Sequence, residues 1–232
     1  MPHLRAIFRC GVGTDNIPFS RCEQRGIHVR LPSRQTQQVI FEETAGYAVH
    51  LVLKALFDGQ GDVDDWSKTD RPALEKRRVL VLGQGNIGRL VSAKLGQLVR
   101  VTSWDPMLND ISELAELIGQ ADVVTLHMPL NEATTAWFDA SKLGLMKDGA
   151  ALVNTARGAI VHEADLYREV SSGRLRAFFD VFWQEPYEGP LRKLRPEQFF
   201  MSPHIASHSL DFINGLADDL NELISDIATG RI

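Results

Sequence analysis

From residue 78 onward the chain alternates short apolar runs with segments whose apolar residues recur at helical spacing. The strand-like runs are Val79–Leu82, Val99–Ser103, Asp122–Leu126, Ala150–Asn154, Arg176–Val181 and Phe199–Met201. Helical patterns fall between them at Ile87–Gln97, Ser112–Ile118, Ala140–Met146 and His162–Ser172, the last stopped by Gly173. Alternation of strand and helix implies parallel strands joined by right-handed crossovers. The pattern predicts an α/β fold built on a doubly wound parallel sheet of about six strands.

The earlier part of the chain reads differently. Leu4–Phe8 and Ile27–Leu31 are short strand-like runs, separated by a glycine-bearing loop, Cys10–Ile17, and a short helix holding Phe19 to Gln24. Gln37–Phe57 is a long helical segment with apolar residues on nearly every side. A helix apolar all round is buried all round. So small a chain offers little cover, which predicts a second subunit over helix 37–57 and hence a homodimer. Asp58–Lys76 is polar and reads as a linker, with Trp66 as a packing anchor. Leu210–Ile227 carries an amphipathic helical pattern. Three regions result: 1–72, 73–205 and 206–232.

Composition narrows the class without naming it. With 44% hydrophobic and 24% charged residues the chain has an ordinary globular make-up. Its formal charge of −5, with no compensating basic block, argues against general nucleic-acid binding. Two cysteines, Cys10 and Cys22, are too few for a disulfide framework and read as small buried hydrophobes in a reducing compartment. No apolar run approaches the ~20 residues that span a bilayer, and the charged start at 1–9 is not signal-like, so a cytoplasmic location is expected. No metal site is assigned.

The chemistry begins at V-L-V-L-G-Q-G-N-I-G, residues 79–88. Here a buried strand must turn into a helix. Gly83 makes the tight turn, Gly85 lets backbone approach a pyrophosphate, and Gly88 lets the helix pack on the strand. The free N–H groups of the new helix then face an anion, helped by the helix dipole. Asp105 follows at the end of the next strand, 22 residues beyond Gly83. A carboxylate there accepts hydrogen bonds from an adenosine ribose and repels a 2′-phosphate, which predicts NAD rather than NADP.

Three further strand ends carry reactive groups: Thr155-Ala156-Arg157-Gly158, Phe182-Trp183-Gln184-Glu185-Pro186, and Ser202-Pro203-His204. Each alone is compatible with a structural role, but all three fall on the ligand edge of a dinucleotide-binding sheet. Hydride transfer to a carbonyl leaves charge on oxygen, and a proton must arrive there. Histidine moves protons near neutral pH, a glutamate fixes the ring's tautomer, and arginine offers a planar fork to a 2-oxo acid. The expected roles are Arg157 as substrate clamp, His204 as acid/base and Glu185 as its partner. Successive N–H groups around Gly11 and Gly13 can form either a simple turn or a small carboxylate nest.

These motifs together resemble the D-isomer-specific 2-hydroxyacid dehydrogenase family. The matching stretches are RCGVGTDNI (9–17), VLVLGQGNIG (79–88), DP (105–106), ADVVTLHMPLNEATT (121–135), MKDGAALVNTARGAIV (146–161), FDVFWQEP (179–186) and SPHIAS (202–207). The resemblance implies an NAD-dependent oxidoreductase acting on a small 2-hydroxy or 2-oxo acid, with Arg157, Glu185 and His204 catalytic. It adds cofactor contacts at Asn86, Ile87, Pro106, His127, Met128, Pro129, Thr134, Thr155, Ala156, Arg157, Asp180 and His204, with Asp180 near the nicotinamide carboxamide. It assigns Gly11, Val12 and Gly13 to the substrate carboxylate and helix 37–57 to the intersubunit contact. By the same likeness, 1–72 is a truncated flavodoxin-like substrate or lid domain, 73–205 the NAD-binding domain, and 206–232 a helix returning to the first. Phe41 departs from the small residue usual before Glu42, and Glu43 stands where histidine is frequent. Glu185 argues against formate chemistry. The other expectation is an NAD(H)-binding regulator or scaffold of the same fold that turns over no substrate.

Overall fold

The structure is a computed structural model that describes residues 4–59 and 61–232. Its strands are β1 (Ala6–Phe8), β2 (His28–Arg30), β3 (Gly61–Asp62), β4 (Ser67–Lys68), β5 (Arg78–Leu82), β6 (Arg100–Trp104), β7 (Val123–Leu126), β8 (Ala151–Asn154), β9 (Arg176–Phe179) and β10 (Phe199–Met201). Its α-helices are α1 (Phe19–Gln24), α2 (Arg34–Phe57), α3 (Asn86–Leu95), α4 (Ile111–Gln120), α5 (Ala140–Leu145), α6 (Glu163–Ser171) and α7 (Leu210–Ala228). The chain divides into two compact units. One comprises the described residues up to Glu43 with Ser207–Ile232, and the other is Thr44–Ala206. The first boundary therefore falls inside α2, ahead of the 72/73 position read from the sequence.

In the first unit β1 and β2 pair in parallel, Ala6 opposite His28. The Ser33 hydroxyl accepts the Thr36 N–H at 3.2 Å and starts α2, while Ser209 does the same for Phe212 at the head of α7. Buried Asp219 of α7 accepts the Ser33 N–H at 2.8 Å, and Arg30 donates to Asp226 at 2.7 Å. A Cβ on Gly215 would meet the Thr36 hydroxyl at 2.7 Å, so a glycine there lets α7 pass close to α2. Cys22 is buried as expected, but Cys10 is exposed on the glycine loop.

The second unit carries a six-stranded parallel sheet in the order β10-β9-β8-β7-β5-β6. Central strands β7 and β8 are buried at every residue, as strands covered by helices on both faces must be. One core cluster joins Leu82, Leu126 and Leu152 to Ile118, Leu143 and Leu166. The other cluster, on the opposite alternation, joins Val79, Val81, Val123 and Val153 to Val91 and Leu95.

That second cluster corrects the expectation about α2. Ala45, Ala48, Leu51, Val52, Ala55 and Leu56 pack into it and are at most 3% exposed. The chain's own sheet covers one face of the second half of this helix, so these six residues do not call for a second subunit. The expected linker also contains more than a tether. β3 and β4 pair antiparallel, with turns held by Asp62 accepting the Asp64 N–H and Asp65 accepting the Ser67 N–H. Trp66, expected as a packing anchor, stands at the tip of this hairpin at φ +55° and is 79% exposed.

Candidate active site

The sheet register lines up one row of strand ends. Trp104, Leu82, Leu126, Asn154, Phe179 and Met201 are successive partners across β6, β5, β7, β8, β9 and β10. The next residue on each strand is Asp105, Gly83, His127, Thr155, Asp180 and Ser202. The chain steps outward from β5 to β6 and then crosses back to β7, so the strand order reverses at β5/β7. Ligands of doubly wound sheets bind in the crevice outside the carboxyl ends at such a reversal.

The glycines are explained by what surrounds them. Gly83 adopts φ +98°, and a Cβ there would lie 2.6 Å from the His127 carbonyl oxygen. A Cβ on Gly88 would lie 1.9 Å from the Gly83 carbonyl oxygen, so the first turn of α3 sits directly on the loop. Gly85 is different. A Cβ there meets nothing within 4 Å, and no side chain caps α3 at this end. The protein's own packing leaves Gly85 free, while an anion cradled by the α3 N-terminus requires the close approach that a side chain would block.

Around this cradle, Asp105 accepts the Gln84 N–H at 2.7 Å and the Met107 N–H at 2.9 Å, which fixes the carboxylate beside the glycine loop. Asn86 and Pro106 are exposed beside it, and Ile87 is half-buried. His127 shares a hydrogen with the Thr125 hydroxyl at 2.9 Å. Burial pushes His127 down to about 3, so the ring is neutral at ordinary pH. Met128 is buried and Pro129 exposed; the Pro129 carbonyl accepts from the Thr134 hydroxyl at 2.7 Å. Thr155 is buried and its hydroxyl has no partner among the described residues. An unsatisfied buried hydroxyl on the carboxyl edge suits a bound polar group, and together with the open Gly85 cradle it fits a dinucleotide.

Two loops farther along carry the reactive groups. Fully buried Asn154 accepts the Ala156 N–H at 3.0 Å and donates to the Arg157 carbonyl at 2.9 Å, shaping the turn that presents Arg157. The Arg157 guanidinium donates to the Ala156 carbonyl at 2.7 Å. A Cβ on Gly158 would lie 2.1 Å from the Phe182 carbonyl carbon, so the loops after β8 and β9 pass in contact. His204 Nδ1 and Glu185 Oε2 are 2.8 Å apart, and Glu185 Oε1 accepts the Phe182 N–H at 3.0 Å. Both side chains stay open, 47% and 38% exposed, and border a cavity of about 660 Å³ lined also by Phe182, Tyr187, Met201 and Arg192.

Asp180 is fully buried and its carboxylate is fully engaged by the loop after β10. It accepts the Ser202 hydroxyl at 2.6 Å, the Ile205 N–H at 2.9 Å and the Ala206 N–H at 2.8 Å. Burial pushes its carboxyl up, and those three donors oppose the shift. Asn154 and Ser202, which shape the loops carrying Arg157 and His204, were not singled out from sequence. Gly11, Val12 and Gly13 belong to the first unit, where the Gly11 N–H donates to the Arg9 carbonyl at 3.0 Å and Arg9 Nε donates to the Gly13 carbonyl at 2.6 Å.

Residues 55–206 match the family model described as D-isomer specific 2-hydroxyacid dehydrogenase, NAD binding domain. The chain is 29% identical to a hydroxypyruvate reductase of Thermotoga maritima, aligning 96% of itself with 77% of that protein. It is 31% identical to a glyoxylate reductase of Korarchaeum cryptofilum, over its whole length and 75% of the relative. Among solved structures, a glyoxylate reductase from Paecilomyes thermophila superposes with a TM-score of 0.79 at 26% identity, over 99% of this chain and 74% of that one. The chain belongs to the D-isomer specific 2-hydroxyacid dehydrogenase family.

Proposed function

We propose that this family member catalyses NAD-dependent hydride transfer between nicotinamide and a small D-2-hydroxy or 2-oxo acid. The observation that carries the reading is the 2.8 Å pair of His204 and Glu185 on the same sheet edge as the glycine cradle. Gly83, Gly85, Gly88, Asp105 and Thr155 would hold the dinucleotide, which when bound supplies or accepts the hydride.

The chain's own residues do the rest. Glu185 occupies Nδ1 of His204, so Nε2 is the nitrogen left to hand a proton to the substrate oxygen or take it back. Glu185 is itself steadied by the Phe182 N–H, which keeps the ring in one orientation. Arg157, on the neighbouring strand end, offers the planar fork that binds a carboxylate beside a carbonyl. Asp105 favours a free ribose hydroxyl over a 2′-phosphate.

The test mixes the purified chain with NADH and a panel of small 2-oxo acids, following NADH absorbance, with His204→Ala in parallel. Oxidation that falls at least a hundredfold in the variant is expected. NADH binding without reduction of any acid would instead place the chain among binding or regulatory proteins of this fold.

A further inference from the structure

The edge of the sheet opposite the glycine cradle gathers charge of its own. Arg77 precedes β5, Asp122 precedes β7, Lys147 and Gly149 precede β8, and Arg176 opens β9. They line a small polar cavity of about 70 Å³. The two guanidiniums carry ten N–H donors between them. Among the described residues these make one hydrogen bond, Arg176 Nη2 to the Gly149 carbonyl at a long 3.3 Å. Arg77 adds a 3.6 Å ion pair to Asp122, and its buried Nε has no partner among the described residues. Arg176 also lies 5.9 Å from the Phe178 ring.

The charges do not cancel. Asp122 already accepts the Arg78 N–H at 2.8 Å and pairs with Lys147 at 3.3 Å as well as with Arg77. Asp148 on the rim pairs with Arg174, and nearby Asp58 pairs with Lys54. Asp122 thus serves two cations, Arg77 and Lys147, and among the described residues leaves Arg176 without a paired carboxylate of its own on this edge. Burial pushes Arg176 down, with Asp58 opposing that shift and the Arg77 charge adding to it. Half-buried, under-bonded guanidinium donors that converge on one small cavity are the complement of an oxyanion.

We infer that this edge holds a binding site for a phosphoryl dianion, gripped between Arg77 and Arg176 with Lys147 beside them. The cavity has room for one tetrahedral group. It is separate from the proposed catalytic edge, because it lies at the amino ends of the same strands.

Isothermal titration with sodium phosphate, at constant ionic strength and with NADH saturating so that the α3 cradle is filled, tests the site. One phosphate per chain is expected. Arg77→Gln and Arg176→Gln should each weaken binding at least tenfold and exposed Lys147→Gln several-fold, with NADH affinity unchanged. A parallel titration with glycerol 2-phosphate identifies the source: equal binding points to a phosphomonoester, and binding of inorganic phosphate alone points to the free ion. No saturable binding of either, or unchanged binding in both arginine variants, overturns the proposal. Urea midpoints measured without phosphate show whether a variant that fails to bind is still folded. Loss of binding in Lys147→Gln, whose side chain is solvent-accessible, supports the site independently.

Discussion

The Ser202 hydroxyl donates to the fully buried carboxylate of Asp180 at 2.6 Å, tying the ends of β9 and β10 together. Two more donors on that carboxylate, the Ile205 and Ala206 N–H groups, lie just beyond His204. His204 itself adopts φ +52°, a left-handed conformation uncommon for a side chain of its size. The loop holds it there because bonds on both sides fix the backbone.

Ser202→Ala removes one charge-assisted hydrogen bond from a buried acceptor. A loss of about 2 kcal/mol in stability is expected. Turnover should fall with little change in NADH affinity, because the cradle at β5 is untouched. Urea denaturation with steady-state kinetics checks this, and an unchanged kcat would remove Asp180 and Ser202 from the positioning of His204.

Gly158→Ala should be costly, since its Cβ would sit 2.1 Å from the Phe182 carbonyl carbon and the two loops must separate. Destabilisation of about 2–3 kcal/mol is expected, with reduced turnover. Gly144→Ala is the matched control. Gly144 lies in α5 with nothing within 4 Å of a new Cβ, so a gain of roughly 0.5–1 kcal/mol is expected. Melting curves of the two variants should move in opposite directions.

Asp105→Ser keeps a small polar group at the end of β6 but removes the charge. Discrimination against NADPH should drop by at least tenfold, mainly through KM. A retained preference for NADH would place the ribose elsewhere.

His127 gives a pH dependence whose sign is fixed by its shift. Its folded value is about 3, below the 6.5 of an exposed histidine. Between those values the unfolded chain binds a proton that the folded chain does not, so stability falls as the solution is acidified. From pH 6.5 to pH 5 the contribution is up to about 2 kcal/mol. Denaturation of wild type and His127→Gln at pH 7 and pH 5 measures it: the acid loss should be smaller in the variant.

The sheet and its glycine turn were legible because their constraints are local. A strand apolar at every position has one place to go, Gly88 is demanded by the carbonyl of nearby Gly83, and Gly83 by its own φ of +98°. Glu185 and His204 were legible as reactive types on predicted strand ends. What escaped depends on distant partners. Asn154 and Ser202 are small polar residues, which in a sequence look like surface positions; their buried acceptors and donors identify them only once the strands are aligned. Trp66 misled because aromatic bulk predicts burial, whereas two Asx turns force it onto a hairpin tip. The second half of α2 looked uncovered because apolarity on all sides does not say which surface provides the cover.

The aligned row of strand ends also bears on how such a protein can change. The paired strand residues end at that row, and the polar groups of the candidate site begin one position after it. Reading variants of this chain starts from position along a strand: a change before the row touches the sheet alone, whereas a change just after it, as at Gly158 or Ser202, touches architecture and trade together.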